Sequence, residues 1–463
     1  MVSFVQIASY LPSIREPEKE QSLKEMLMWT GVVLVIYFAL GSINVSGANS
    51  QAVEQALTRL RTFQTLLGAQ IGSVITLGIG PIVTSSIVLQ MLVGSDLLDW
   101  NTNSQKGKQK FQAAQKVLAY SLTVIQASGW VVTGNFGSPA QLGPGIVLFL
   151  TAQLIAGGWL IILMDDLVQK WGFGSGTGLF IAAGVSKAVY ISSVSPLTRN
   201  GDIYWSTTGS SAPVGALFSF LNTLNPLDML PIISTILVFA AVVYMQSMKV
   251  EIPLTFGDVR GFGQKWPLKF LYTSNMPVIL IAALITNFRI LGSSLAGQNG
   301  CSILGCFEGG QATSGLIALL QAPTSTFTTL LETGTITAGG IGHILFYTSV
   351  YAFGSIMFSI FWMRTSGQDA DSVAEQIQQT GMKVPGFRKD KRVIKKVLNR
   401  YIPSLTILSG FAVGLLAAVA NMTSAAGGGT GILLTVMILY KMYEELAQKH
   451  MEELHPALKD FLG

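Results

Sequence analysis

Residues 62–95, TFQTLLGAQIGSVITLGIGPIVTSSIVLQMLVGS, form a stretch of 34 residues without a charged side chain. As one helix the stretch would be about 50 Å long, because an α-helix rises about 1.5 Å per residue. The hydrocarbon core of a bilayer is only about 30 Å thick. Several glycines and Pro81 can break the helix, so the stretch predicts a short half-inserted helix followed by a full span from about Leu77. A single tilted and kinked helix is the alternative.

The composition places this stretch in a membrane. Half of the chain is hydrophobic and only 11% of it is charged, whereas soluble domains are about 25% charged. The chain is therefore predicted to cross a membrane many times. Broken backbone at membrane depth is stable only where protein or a water-filled cavity surrounds it, so the break favours a pore or a substrate path.

Ten apolar runs have about the length needed to cross a bilayer. They are predicted as spans 1 to 10, at residues 27–43, 77–94, 117–136, 145–167, 178–194, 229–248, 271–291, 344–363, 405–422 and 431–446. Residues 1–26 have an apolar start and a charged second half, which predicts a cytoplasmic amphipathic helix on the membrane surface. No cleavable signal peptide is predicted there, so the first span should be retained.

Basic residues are unevenly distributed between the two sides of the membrane. With a cytoplasmic N-terminus, the inner segments hold 24 of the 29 Lys and Arg residues. The outer segments hold only Arg59, Arg61, Arg199 and Arg289, and Lys187 lies inside span 5, from which it should snorkel outward. The positive-inside rule then predicts that both termini are cytoplasmic.

The ten spans divide into two halves of five. Because five is odd, two similarly folded halves would be inverted relative to each other, and inverted repeats place their working site where the halves meet. The second span of each half contains a proline, Pro81 and Pro277. The predicted fold is all-α, with ten transmembrane helices in two pseudo-symmetric inverted halves, 27–194 and 229–446. An external loop, 195–228, joins the halves, and a cytoplasmic tail, 447–463, follows them.

The spans contain few groups that could carry out chemistry. Asp165 and Asp166 lie at the inner end of span 4, in the membrane interface, and apart from them the spans contain no paired carboxylates, nucleophile motif or metal-binding spacing. The glycine-rich sequence GFGSGTG, 172–178, lacks the lysine of a phosphate-binding loop and is predicted to be a flexible lead into span 5. The sequence thus predicts neither an enzyme nor a cofactor or metal site. Cys301 and Cys306 lie in a predicted outer loop, where a disulfide and two free thiols are equally compatible.

Two basic segments are predicted on the cytoplasmic side, in loops 249–269 and 364–402. Residues 381–401 contain eight Lys or Arg residues, and Pro385 and Gly386 place Arg388 and Lys389 on a turn. One interpretation is anchoring beside anionic lipid. The other is docking to a polyanion such as ribosomal RNA, because basic clusters bind phosphates whatever the sequence.

Five motifs carry a family resemblance: LGIGPIVTSSIVLQML, WGFGSGTGLFIAAGV, YTSNMPVIL, GMKVPGFRKDKRVIKK and GGGTGILLTVMILYKMYEEL. They resemble the SecY family, the channel subunit of the Sec protein translocase, in its archaeal or eukaryotic form. The resemblance extends over essentially the whole chain. It implies a passive, hourglass-shaped channel for unfolded secretory polypeptides, closed from outside by a half-inserted plug helix. Transmembrane segments would leave sideways into lipid through a gate between spans 2 and 7.

The resemblance also implies roles for particular residues. The plug would lie at about 61–72 and include Arg61, Leu66, Leu67, Gly68, Ile71 and Gly72. A ring of apolar side chains at the waist would consist of Ile79, Val83, Thr177, Ile181, Met276 and Leu434. Thr177 and Met276 depart from the family's aliphatic residues, although methionine is still apolar and deformable. The gate would contain a polar cluster of Thr84, Gln126 and Asn275.

The implied partners are a ribosome, signal sequences, nascent polypeptides, membrane lipids and two small membrane subunits of the SecE (gamma) and SecBeta types. Ribosome docking would use Arg260, Lys265, Arg388, Lys389, Lys391 and Arg392. A secondary solute transporter is the alternative function, because inverted five-span repeats with broken helices also occur in that class. The expected location is the archaeal cell membrane, with the endoplasmic reticulum as the alternative.

Overall fold

The computed structural model of the chain describes residues 4–19, 21–59, 64, 68–94, 97–98, 100, 105–198, 203–205, 213–256, 263–273, 276–296, 301–302, 305–308, 311–379, 382–383 and 391–454. The helices are α1 (Phe4–Tyr10), α2 (Leu23–Ser42), α3 (Ser50–Arg59), α4 (Gly80–Gly94), α5 (Gln105–Val132), α6 (Pro139–Leu142), α7 (Pro144–Trp171), α8 (Gly176–Val194), α9 (Ala216–Thr223), α10 (Leu230–Ser247), α11 (Met276–Ala296), α12 (Leu316–Leu319), α13 (Thr324–Thr333), α14 (Ala338–Thr365), α15 (Ala370–Gln379), α16 (Lys391–Met422) and α17 (Gly429–Leu454). The strands are β1 (Lys249–Phe256), β2 (Gly263–Lys269), β3 (Cys301–Ser302), β4 (Gly305–Glu308), β5 (Gln311–Ala312) and β6 (Met382–Lys383), and a 3-10 turn (Pro226–Met229) precedes α10.

The chain is mostly helical, as the apolar runs predict. Each run overlaps a helix, in order α2, α4, α5, α7, α8, α10, α11, α14, α16 and α17. Among the described residues, six helices are long and apolar enough to cross a membrane: α2, α7, α8, α10 with its preceding turn, α14 and α16. Two shorter apolar helices lie within α4 and α11. The chain is therefore an integral membrane protein.

Several helix ends differ from the predicted ones. α5 begins at Gln105, α16 begins at Lys391, and α17 continues to Leu454. Hydropathy marks only the part of a helix that lies in lipid, whereas a helix rich in Lys, Gln and Glu continues readily into water. The predicted surface helix at the N-terminus is wrong beyond Tyr10, because residues 11–19 are irregular and α2 begins only at Leu23.

Pro81 and Pro277 occupy equivalent positions in their helices. Each is the second residue, of α4 and α11 respectively. A proline in the first turn costs little, because the N–H groups there have no partner within the helix and the fixed φ suits the helical conformation. The two prolines therefore begin helices rather than interrupt them, and α4 starts at Gly80 instead of Leu77.

The helices share one large apolar core. It runs from Val33 in α2 through α7, α8, α11 and α14 to Met437 in α17. A second core lies between strands β1 and β2 and helices α15 and α16, and it contains Ile252, Leu268 and Ile394. The strands in the two basic loops, 249–269 and 364–402, were not predicted; β1 pairs antiparallel with both β2 and β6.

Candidate functional site

Residues 68–79, which lead into α4, are non-helical and buried inside the helix bundle. All are buried except Gln70 and Val74, which are half-buried. Their backbone finds partners outside a helix: the N–H of Val45 donates to the carbonyl of Gly72 at 2.9 Å, and the N–H of Val74 donates to the carbonyl of Ile43 at 3.0 Å. Irregular backbone at membrane depth requires such surroundings. The prediction of a broken stretch is therefore confirmed for these residues.

Three helices, α2, α8 and α7, lie in close contact with this segment. The hydroxyl of Tyr37 in α2 donates to the carbonyl of Gly68 at 2.5 Å. Gly68 has φ +53°, and a Cβ there would lie 2.9 Å from the carbonyl oxygen of Phe180 in α8. On α7, a Cβ added to Gly157 would overlap the carbonyl oxygen of Val74. Only a glycine lets the two backbones approach so closely.

The predicted plug is described only at its C-terminal end. Arg61, Leu66 and Leu67 lie outside the described residues. Gly68, Ile71 and Gly72 are buried in the segment that leads into α4.

Lys187 of α8, predicted to snorkel outward, is exposed and contacts two side chains from other parts of the fold. Its ammonium group donates to the side-chain oxygen of Gln70 at 3.1 Å and lies 6.0 Å from the ring centroid of Phe38. The amide oxygen and the aromatic face both attract the cation at short range. Lys187 thus joins α8 to Gln70, which lies within the predicted plug.

The predicted ring residues all lie at or near the first turns of four helices. Ile79 immediately precedes α4 and Val83 lies in its first turn; Thr177 and Ile181 are in α8, Met276 begins α11, and Leu434 is in α17. Ile79, Ile181 and Leu434 are buried in the large core, and Val83 packs against it. Met276 and Thr177 are half-buried. The hydroxyl of Thr177 has a polar partner in the Ser175 hydroxyl at 2.7 Å.

Sequence reasoning missed the side chains that hold two of these first turns. The N–H of Thr177 donates to a carboxylate oxygen of Asp165 at 2.7 Å, and the other carboxylate oxygen accepts from Gln169. At the start of α17, the N–H of Thr430 donates to the side-chain oxygen of Asn421 at 3.1 Å. The two helices begin with the same sequence, Gly-Thr-Gly, and this repeat was the available signal.

The glycine-rich turn before α8 is held by hydrogen bonds, contrary to the prediction of a flexible lead. The N–H of Phe173 donates to the hydroxyl of Thr30 in α2 at 2.8 Å. Gly174 faces Met442 of α17, and Ser175 caps α8 by accepting from the N–H of Gly178. Asp165 occupies the N-terminus of α8, where a bound phosphate would otherwise lie, so the turn is unlike a phosphate-binding loop.

Two of the three predicted gate residues are joined by a hydrogen bond. The side-chain amide of Gln126 in α5 donates to the hydroxyl of Thr84 in α4 at 3.3 Å. Asn275 lies outside the described residues. In the part of the chain that the structure describes, α4 packs against α14 of the C-terminal helices.

The two basic loops form one body. Strand β1 pairs with β2 from its own loop and with β6 from the other, with Thr255 opposite Lys383. Lys265 is in β2, and Lys391 and Arg392 begin α16 instead of lying in a loop. Arg260, Arg388 and Lys389 lie outside the described residues. An ion pair between Lys269 and Glu444 connects this body to α17.

The N-terminal segment is held at the C-terminal end of α7 and by Tyr120 of α5. A carboxylate oxygen of Asp166 accepts from the N–H of Ile14 at 2.8 Å, and Lys170 pairs with the same carboxylate. The indole N–H of Trp171 donates to the carbonyl of Arg15 at 2.7 Å, and the hydroxyl of Tyr120 donates to the carbonyl of Pro12 at 3.2 Å.

The two cysteines form a disulfide. Cys301 and Cys306 face each other across the β3–β4 hairpin and are bonded. The sequence was compatible with a disulfide or with two free thiols, and the structure has the disulfide.

Known proteins resemble this chain in both sequence and fold. The SecY family profile matches residues 73–443. The protein translocase subunit SecY of Methanothermobacter thermautotrophicus is 41% identical over 99% of this chain and 98% of its own length. A solved structure of a protein-conducting channel superposes with a TM-score of 0.80 at 40% identity, covering 98% of each chain. Sec61 in a canine ribosome-channel complex from the endoplasmic reticulum superposes with a TM-score of 0.77 at 40% identity, covering 98% of each chain.

Proposed function

The chain belongs to the SecY family, and from this membership we propose that it is the channel-forming subunit of a protein translocase, through which unfolded polypeptides cross the membrane. The observation that carries the proposal is the buried, non-helical segment 68–79, which ends at the first ring residue, Ile79. Such a segment has no place in a simple bundle of spans, but it suits a moving closure above a constriction. The solute-transporter alternative has no comparable support.

In the proposed arrangement, ten helices cross the membrane in two inverted halves, 27–194 and 229–446. The matched starts of α4 and α11, each with proline as second residue, support the inverted repeat. Both termini would then be cytoplasmic. The disulfide in the loop after α11 supports this orientation, because disulfides persist on the oxidising side of a membrane.

The waist would be sealed by the ring of Ile79, Val83, Thr177, Ile181, Met276 and Leu434, with residues 61–72 as the plug. Apolar side chains at a narrow constriction exclude water and ions while offering no strong bond to a passing chain. Such a channel is passive and needs no catalytic residue, so the driving force would come from a ribosome or another motor. A similar protein, Sec61, is part of a ribosome-channel complex. Small subunits of the SecE and SecBeta types would complete the assembly, in an archaeal cell membrane.

Replacing Arg388 and Lys389 together with alanine should weaken ribosome binding strongly at low salt. Each lost phosphate contact lowers the salt slope of log K by about 1, so the double variant should lower it by about 2. Ribosome binding is measured by co-sedimentation across a salt series. The matched control replaces Lys110 and Lys449, two exposed lysines outside the loops, with alanine. An equal loss in both variants would mean that net charge, rather than docking at this turn, holds the ribosome.

Gln126→Leu should raise the signal hydrophobicity needed to open the gate. The substitution removes the hydrogen bond to Thr84 and puts an apolar side chain beside α4 at the proposed gate, where it would favour the closed state by about 1 kcal/mol. The measurement is insertion efficiency for a graded series of signal sequences. Ser121→Leu, an exposed position on the same helix, is the control. A threshold that stays in place, or that moves equally in the control, would remove Gln126 from the gate.

A further inference from the structure

Two of the ring residues, Ile181 and Leu434, follow the same sequence, Gly-Thr-Gly, at the same distance. α8 begins Gly176-Thr177-Gly178, and Ile181 follows the threonine by four residues. α17 begins Gly429-Thr430-Gly431, and Leu434 follows its threonine by four residues. Residues four apart lie on one face of a helix. The threonine's place therefore determines the place of the ring residue one turn above it.

Each threonine is held by a side chain from the preceding long helix. The N–H of Thr177 donates to Asp165 of α7 at 2.7 Å, and the N–H of Thr430 donates to Asn421 of α16 at 3.1 Å. The first N–H groups of a helix have no partner within it. A fixed acceptor from a neighbouring helix therefore determines the height at which the new helix begins. Asp165 is buried, and its negative charge also suits the positive end of α8.

The glycine before each threonine lies directly against the helix that supplies the acceptor, so the start of α8 or α17 cannot move closer to that helix. A Cβ at Gly176 would lie 2.6 Å from the Asp165 carboxylate oxygen. A Cβ at Gly429 would overlap the backbone of Ala420 and Asn421. Both helix starts are therefore pressed against the helix that supplies the acceptor. The hydrogen bond and the backbone contact together leave little freedom along the helix axis.

We propose that Asp165 and Asn421 are positioning residues that set the axial height of α8 and α17, and so hold Ile181 and Leu434 at the constriction. A slip of one residue along a helix axis moves a side chain by about 1.5 Å and turns it by about 100°. Either displacement takes an apolar side chain out of a narrow seal. The inference rests on the proposed ring, but it concerns the closed channel alone.

The test measures how fast a cysteine at each ring position reacts. Ile181→Cys and Leu434→Cys are made separately in the full chain with Cys301 and Cys306 replaced by serine, assembled in proteoliposomes without a translocating polypeptide. A membrane-impermeant maleimide is the probe. Asp165→Ala should speed labelling at position 181 by about tenfold, because it removes one charge-assisted hydrogen bond. The labelling rate at position 434 should stay near that of the parent. Asn421→Ala should do the reverse.

Two controls separate positioning from general destabilisation. Asp166→Ala removes the neighbouring carboxylate, which bonds Ile14 and Lys170, and should label at the parent rate. Asp165→Asn keeps an oxygen that can accept from Thr177 and should restore slow labelling. If Asp165→Ala yields no folded protein, Asp165→Glu, which shifts the carboxylate by one methylene, takes its place.

Unchanged labelling at position 181 in Asp165→Ala (or in Asp165→Glu where it takes its place), or equal acceleration at both ring positions in Asp165→Ala and in Asn421→Ala, would overturn the proposal. Because no polypeptide is passing, this result is independent of whether the chain conducts one. Failure of the positioning role of Asp165 and Asn421 and failure of the channel assignment therefore appear in different experiments.

Discussion

Gly157→Ala should leave little folded protein. The glycine of α7 lies against the backbone of the segment that leads into α4, and a Cβ there would overlap the carbonyl oxygen of Val74. Overpacking ordinarily costs about 1 to 3 kcal/mol because side chains can shift. Here the obstacle is backbone that is itself hydrogen-bonded to Ile43, so the cost should reach or exceed the upper end of that range.

The measurement is thermal unfolding of the detergent-purified protein, together with the yield of monodisperse material. Gly145→Ala is the matched control, because it lies on the same helix and a methyl group there would meet no described atom within 4 Å. We expect the control to unfold at the parent temperature. Equal unfolding temperatures for the two variants would show that the broken segment does not depend on close contact with α7.

Replacing Ile181 and Leu434 together with serine should make the closed channel leak ions. Both side chains are buried in the large core near the first turns of their helices. Two hydroxyls in place of apolar groups lower the cost of hydrating a constriction by at least about 1.4 kcal/mol, which corresponds to a tenfold or larger rise in ion flux. Ion flux is measured in planar bilayers without a translocating polypeptide.

The matched control makes the same substitutions at exposed positions on the same two helices, Ile191→Ser and Leu439→Ser. These positions face away from the core, so the seal should remain intact. A leak of similar size in both double variants would point to loosened helices. No leak in either would mean that the seal lies elsewhere in the channel.

The broken stretch shows how far local sequence can determine this fold. Its length and lack of charge predict a break, because a continuous helix cannot fit the bilayer. The same information cannot predict that Pro81 begins α4, since proline suits both a kink and a first turn. The position of the break depends on Tyr37 and Gly157, which contact it from helices distant in sequence.

The roles of charged residues were harder to predict. Lys187 was expected to reach outward because an isolated lysine in lipid does so, and nothing in the local sequence indicates its hydrogen bond to Gln70, 117 residues away. Asp165 looked like an interfacial charge, yet it caps α8. Long-range hydrogen bonds leave little trace in composition or periodicity. The ring assignment rests on the family resemblance, because its motifs specify positions rather than residue types.

The basic loops illustrate the same limit. Their charge predicts a docking face, but no strand was predicted in either loop. The pairing of β1 with β6, which unites the two loops, is a contact between segments more than a hundred residues apart. Only the folded chain places Thr255 opposite Lys383.

The most direct test of the channel assignment asks whether a translocating polypeptide touches the waist. A single cysteine replaces Ile79 in a chain whose Cys301 and Cys306 have been changed to serine, and a secretory polypeptide with one cysteine is stalled at mid-membrane depth. We expect a disulfide between the two that forms only when the polypeptide carries a signal sequence. No crosslink at position 79, with none from cysteines at Val83 or Ile181, would contradict a polypeptide path through this ring.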